Sequence, residues 1–301
     1  MKKTITILSA LALSMSLFVS CDDNNDSGND SASVFSTEFN AKYPKATNVE
    51  WSTKDSYELA SFDLDGLENT AWFSKTAAPN AAWKMTETDI APISSSLPLS
   101  VKTAFEKTEY AKAPWTIDDI DMITRVGMMT VYVIDVENGA LEMEIMYAED
   151  GTHIKTQADD DNDNDNSSHL PTTLPAPVMD YIVANHPDAK IADIDNEGGM
   201  LEVDIVENGV EKELLFNPAN MWHSTTTEGL GHGQVAAAAP KVMPTFMVVM
   251  KSQYPGFMPD MNEGIDYVET PTVNYYLFEI ENKATGVEAT IKIDSDGKQI
   301  Q

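Results

Sequence analysis

Three groups of residues in this 301-residue chain carry the donor types that chemistry needs, and their spacing decides against each. Asp161, Asp163 and Asp165 alternate like the first ligands of a calcium loop. The sixth loop position, however, is Asn166 where a glycine must turn the chain, and the twelfth is Thr172 where a bidentate glutamate closes the shell. The run Asp159-Asp160-Asp161-Asn162-Asp163-Asn164-Asp165-Asn166 reads better as a solvated acidic linker. Met243, Met247, Met250, Met258 and Met261 offer thioethers soft enough for copper(I), but three of them share the helical face that a core requires, so packing accounts for them. The histidines, His153, His169, His186, His223 and His232, form no pair at ligand spacing and sit beside no nucleophile they would activate. Gly229-Leu230-Gly231-His232-Gly233 lacks the strand-then-helix context of a dinucleotide site and, with the alanines leading to Pro240, reads as a linker. The expectation is a non-enzyme with no catalytic residue, no bound metal and no cofactor.

Cys21 is the exception, because its position predicts a modification. Lys2 and Lys3 form a basic start, Ile5 to Val19 is apolar apart from small serines, and the only cysteine of the chain follows Ser20. The stretch is a secretory signal, too short for a comfortable membrane span. Its end resembles the lipobox of bacterial lipoproteins, which implies that residues 1–20 are removed and that Cys21 is the lipidation site. Acyl chains at that position would anchor the protein stably to a membrane. Asp22-Asp23-Asn24-Asn25-Asp26 resembles the acidic export tag of surface lipoproteins in the Bacteroidetes. The expected location is therefore the outer membrane, surface-exposed, with a periplasm-facing lipoprotein as the alternative. Residues 21–33 are polar and read as an acidic flexible tether. No thiol remains for disulfides, thiolate catalysis or cysteine-ligated metals.

A formal net charge of −30 argues against nucleic acid and against anionic lipid surfaces as partners. It suits a surface kept soluble by self-repulsion, and it is compatible with cations or a basic protein partner.

The elements that would position any site repeat along the chain. Tyr43-Pro44, Tyr110-Ala111, His186-Pro187 and Tyr254-Pro255 recur at intervals of 67, 76 and 68 residues, the long interval holding the acidic run. Ahead of the last three stand Leu97-Pro98, Leu174-Pro175 and Met243-Pro244, proline at a helix start. Apolar residues then follow at helical spacing, among them Phe35 and Phe39, Val101 and Phe105, Val178 and Ile182, Phe246 and Val249. The proline after each aromatic or histidine ends the helix. Met129 to Glu137 and Met200 to Val206 alternate apolar and polar residues into Asn138-Gly139 and Asn208-Gly209, hairpin signals for return strands Ala140 to Tyr147 and Val210 to Phe216. Tyr275 to Glu281 is expected to pair with Val287 to Ile293, and unit one offers Tyr57 to Leu64, Thr70 to Ser74 and Trp83 to Thr88. The class is α+β: two tandem domains, 34–158 and 171–301, separated by the linker 159–170. Each is built from two helix-plus-antiparallel-strands repeats, with helices on one face of a curved antiparallel sheet.

Leu174, Pro175, Val178, His186, Pro187 and Ala189, with Tyr43, Pro44, Ala46 and Trp51, resemble the PepSY-like, beta-lactamase-inhibitor-like domains of Bacteroidetes lipoproteins. The resemblance extends over nearly the whole mature chain and implies helices over a curved sheet with a binding role; it brings no catalytic residue with it. The expected function is recognition of an envelope protein or peptide across the sheet face that the helices leave free. The alternative is glycan capture by exposed aromatics, for which Trp51, Trp72, Trp83, Trp115 and Trp222 are the candidates; core filling is the preferred reading of these rings.

Overall fold

The structure is a computed structural model that describes residues 30–77, 81–90, 97–158, 167–259 and 264–300. Cys21, the aspartates of the acidic run and Met261 lie outside the described residues. Helix α1 (Asp30–Lys42) leads into β1 (Thr47–Lys54), β2 (Tyr57–Leu64), β3 (Leu67–Ser74) and β4 (Trp83–Asp89). Helix α2 (Leu99–Phe105) leads into β5 (Thr116–Arg125), β6 (Val131–Asn138), β7 (Leu141–Ala148) and β8 (His153–Ala158). These eight strands form one antiparallel sheet in chain order. A 3-10 turn (Ser167–His169) and α3 (Ala176–Asn185) precede β9 (Lys190–Glu197), β10 (Met200–Glu207), β11 (Val210–Phe216) and β12 (Trp222–Leu230). Helices α4 (His232–Ala238) and α5 (Val242–Gln253) then precede β13 (Met258–Pro259), β14 (Ile265–Glu269), β15 (Tyr275–Asn282), β16 (Val287–Asp294) and β17 (Gln299–Ile300). The second sheet is antiparallel and nine-stranded, with β13 pairing on β15 beside the main path.

The helices end where the sequence pattern stops them. The N–H groups of Tyr43, His186 and Tyr254 donate to the carbonyls of Phe39, Ile182 and Met250 at 2.7, 2.7 and 3.1 Å, and the next residue is a proline that has no N–H to continue the ladder. Without such a proline, the chain around Tyr110 turns irregularly after α2 has already ended at Phe105. Phe39, Phe105, Ile182 and Val249 are all buried between helix and sheet. Each lies in its own apolar cluster, so the helix-facing side holds four local cores. One device recurs in both halves: the indole N–H of Trp83 donates to Thr86 Oγ1 at 2.8 Å, and that of Trp222 to Thr225 Oγ1 at 3.0 Å.

Several details differ from the sequence reading. The α1 helix begins at Asp30, inside the expected tether, because the stretch between Gly28 and Pro44 holds no glycine or proline to break it. The Asn208-Gly209 hairpin has positive φ at both residues, 56° and 75°, the type I′ pattern. The other hairpin pairs Asn138 with Leu141 and turns on Gly139 (φ 72°) and Ala140, one residue later than expected, with positive φ at its first central residue only, as type II′ requires. The segment read as a linker contains α4: its alanines are strong helix formers, Gln234 accepts from the Gly231 N–H at 2.8 Å, and Val235 and Ala239 are buried. Met243 and Met250 pack against the core but Met247 is 62 % exposed, so three methionines do not share the buried face. Among the strands that went unseen, β1 and β9 are sheet edges, β5 and β12 are rich in Asp or Thr, which blunts the alternation signal, and β14 has only five residues.

Candidate functional site

The two faces of each sheet carry different residue types, since side chains alternate along a strand. On the side away from the helices, the first sheet presents an apolar patch of Trp72, Met85, Ile123, Val131, Val133 and Met146. This patch is not free. Ala192 and Val206 of the second half pack on it, with Leu170 beside them. The Met129 N–H donates to the Ile191 carbonyl at 2.9 Å, and the Thr152 hydroxyl to the Gly209 carbonyl at 3.3 Å. The expectation that the whole non-helical face stays open is therefore corrected: apolar surface on that scale is driven to bury, and the second half buries it.

At this junction lies the only arginine of the chain. Arg125, at the end of β5, is 3 % exposed and places Nη1 3.1 Å from Asp193 Oδ1 on β9, while Nη2 donates to the Ala192 carbonyl. Lys155 on β8 pairs with Asp193 as well and lies 2.6 Å from Asp195 Oδ2. Burial alone would raise Asp193; Lys155 and Arg125 outweigh it and hold this carboxyl below the ordinary value. Burial alone would lower the Lys155 ammonium; Asp193 and Asp195 outweigh it and raise it in return. His169, in the stretch assigned to the linker, is buried with Nε2 3.3 Å from Glu144 Oε2.

Beyond the junction the same face turns acidic. A cleft of about 950 Å³ opens between β8 and the second sheet, with Glu202, Asp204, Glu211 and Glu213 among its lining and Glu228, Asp266 and Glu279 further along. Register explains the accumulation: Asp204 lies opposite Asp193 on one side and Glu213 on the other, and Glu202 lies opposite Asp195. Burial first, then Glu202 and Asp193, push the Asp204 carboxyl up to about 8. Burial and the Asp204 charge push Glu211 up to about 9. A second, smaller acidic hollow of about 350 Å³ lies on the first sheet, where Glu50, Asp63, Glu87, Asp89 and Asp121 converge. An apolar cavity of about 390 Å³ beneath α2 is lined by Phe105, Tyr110 and Trp115.

No three His, Cys, Asp or Glu side chains among the described residues converge in a metal-binding arrangement. The histidines are dispersed: His186 faces Glu207 at 3.3 Å and His153 packs edge-on against Tyr147. Trp51, Trp83, Trp115 and Trp222 are half-buried in the helix-side clusters and Trp72 is 1 % exposed, so the tryptophans among the described residues form no open row for stacking on sugars. Sequence reasoning missed Arg125, Lys155, Asp193 and Asp204, although a lone arginine and the doublets Asp193/Asp195, Glu202/Asp204 and Glu211/Glu213, each two apart on a strand, were visible signals.

The model of the beta-lactamase-inhibitor-like, PepSY-like family matches residues 55–155 and 164–221. The chain belongs to this family. The interruption in the PepSY-like match falls on the acidic run, and the match stops just before β12, short of the near-complete extent expected from the sequence. The last unit departs from the pattern through Gly256-Phe257 and the additional α4. Among solved structures, a BLIP-like protein from Bacteroides fragilis NCTC 9343 is 28 % identical over 48 % of this chain and 92 % of its own length, with a TM-score of 0.39. A DUF2874 family protein from Bacteroides ovatus ATCC 8483 is also 28 % identical, over 45 % of this chain and 89 % of its own, with a TM-score of 0.37. No curated protein matches this chain. None of the helices among the described residues is long and apolar enough to cross a membrane.

Proposed function

We propose that this chain is a non-enzymatic, lipid-anchored binding protein of the cell envelope that recognises a protein or peptide partner across the non-helical face of its sheets. Cys21 would carry the anchor at the outer membrane, and the four helix-and-strand segments would be copies of one unit arranged as two domains. The observation that carries the reading is the acid-lined cleft of about 950 Å³ on the second sheet, a built concavity on the face that no helix covers. Mixed apolar and charged walls on a rigid sheet suit an extended protein segment better than a small reacting molecule.

Two experiments test it. Cys21→Ala should move the protein from the membrane fraction to the soluble fraction; salt-resistant membrane recovery of the variant would remove the anchor from the reading. A photo-crosslinking residue at Glu213, on the sheet face, should capture an envelope partner in cells. The same crosslinker at Val183, 63 % exposed on α3, should not. Capture from Val183 alone would place recognition on the helices and overturn the sheet-face reading.

A further inference from the structure

The cleft holds a carboxyl that the fold itself leaves without a partner. Asp204 is 5 % exposed, points into the cleft from β10, and has no hydrogen bond or ion pair to its side chain among the described residues. The groups facing it are Asp193 and Asp195 on β9, Glu202 on its own strand, Glu211 and Glu213 on β11, and Lys155 on β8. Lys155 is engaged by Asp193 and Asp195, and Arg125 behind it by Asp193. Like charges directly opposed on neighbouring strands destabilise a sheet, and a buried carboxyl without a partner adds a desolvation penalty. Lys155 attracts the Asp204 carboxyl but is itself bound to Asp193 and Asp195, so a positive group arriving from outside would relieve the arrangement.

We propose that the cleft receives an extended basic peptide segment, with a lysine or arginine head group seated against Asp204. This inference rests on the sheet-face reading and names the chemistry of its partner. A single metal ion does not fit, because the carboxylates are spread along the sheet and do not converge. From Glu202 on β10 to Glu279 on β15 the acidic row crosses β11, β12 and β14, roughly 19 Å at the usual strand spacing. About six residues of extended chain cover that span, and every second side chain would point at the sheet. Val210 and Leu230 in the walls would meet the apolar stems of such side chains. A cation at Asp204 would also favour its charged form, so binding near neutral pH releases protons from Asp204 and Glu211.

The test uses the full chain and an eight-residue peptide alternating lysine and serine, titrated calorimetrically at low ionic strength in two buffers of different ionisation enthalpy. The expected result is binding with proton release, weakened about tenfold by Asp204→Asn. Glu50→Gln, in the acidic hollow of the first sheet, removes one negative charge elsewhere and should change affinity less than about twofold. Thermal melts check that both variants fold, and Glu211→Gln provides a second cleft variant with an expected loss in the same direction. Equal binding by Asp204→Asn and wild type, or equal losses in Asp204→Asn and Glu50→Gln, would overturn the site. Spermine displacing the peptide and binding more tightly would overturn the peptide assignment. An absence of peptide binding in the wild type would overturn the cationic partner, while crosslinking from Glu213 would still decide the sheet-face reading separately.

Discussion

Asp193 and Asp204 are register partners on β9 and β10, on the same face and both more than nine-tenths buried, yet their surroundings treat them oppositely. Asp193 meets Arg125 and Lys155 from the first sheet and is held ionised. Asp204, one strand away, is pushed toward its neutral form, first by burial and then by the further carboxylates it meets. The difference separates two uses of one surface. Where the halves touch, charge is matched and apolar surface is covered, so the face serves folding. Where they part, charge accumulates on one sign.

The sharpest way to break this comparison is Arg125→Met. Removing one partner leaves Asp193 buried beside Lys155 alone, at an expected cost of about 3–5 kcal/mol in urea unfolding. Adding Asp193→Asn should recover much of that loss, and failure to do so would mean that the junction is held by its apolar contacts. Ile182→Ala, on the sealed helical side, should cost about 2–5 kcal/mol through lost packing alone, with no dependence on pH.

Asp204→Asn should act in the other direction. A carboxyl whose folded pKa is about 8, against an ordinary 3.8, contributes full stability below about pH 4 and loses it progressively as pH rises to 8. Asn carries no such penalty, so melts at pH 4, 6 and 8 should show no gain at pH 4 and a gain on the order of 2 kcal/mol at pH 8. Asp193 has the opposite sign: its folded pKa is depressed, so its contribution is present above the ordinary value of 3.8 and disappears as pH falls below it. Asp193→Asn should therefore matter least in acid. The smallest expected effect is Met247→Ser, within about 0.5 kcal/mol, because that side chain faces water.

The helices were legible because their signals are local: proline before Val101 and Val178, proline after His186 and Tyr254, and apolar residues three and four apart. The Asn208-Gly209 turn was legible for the same reason. The cleft was not, because its assembly depends on register. Arg125 and Asp193 are 68 positions apart in sequence, and only the docking of β5 beside β9 brings them together. The acidic doublets could be read as sharing a strand face, but no local pattern told which face the second half would cover. Similarly, α4 was lost to a glycine-rich start that looked like a connection, although the alanines behind it favour helix.

The burial of Arg125 also turns the chain into a reporter on its own opening. An arginine-specific protease has a single bond to cut in all 301 residues, the one between Arg125 and Val126, and that arginine lies locked in the junction between the sheets. Nicking there would divide the chain into residues 1–125 and 126–301, at a rate proportional to the fraction of molecules whose halves have momentarily separated. A lysine-directed protease, finding half-exposed sites such as Lys75 without any separation, supplies the clock against which that breathing is measured.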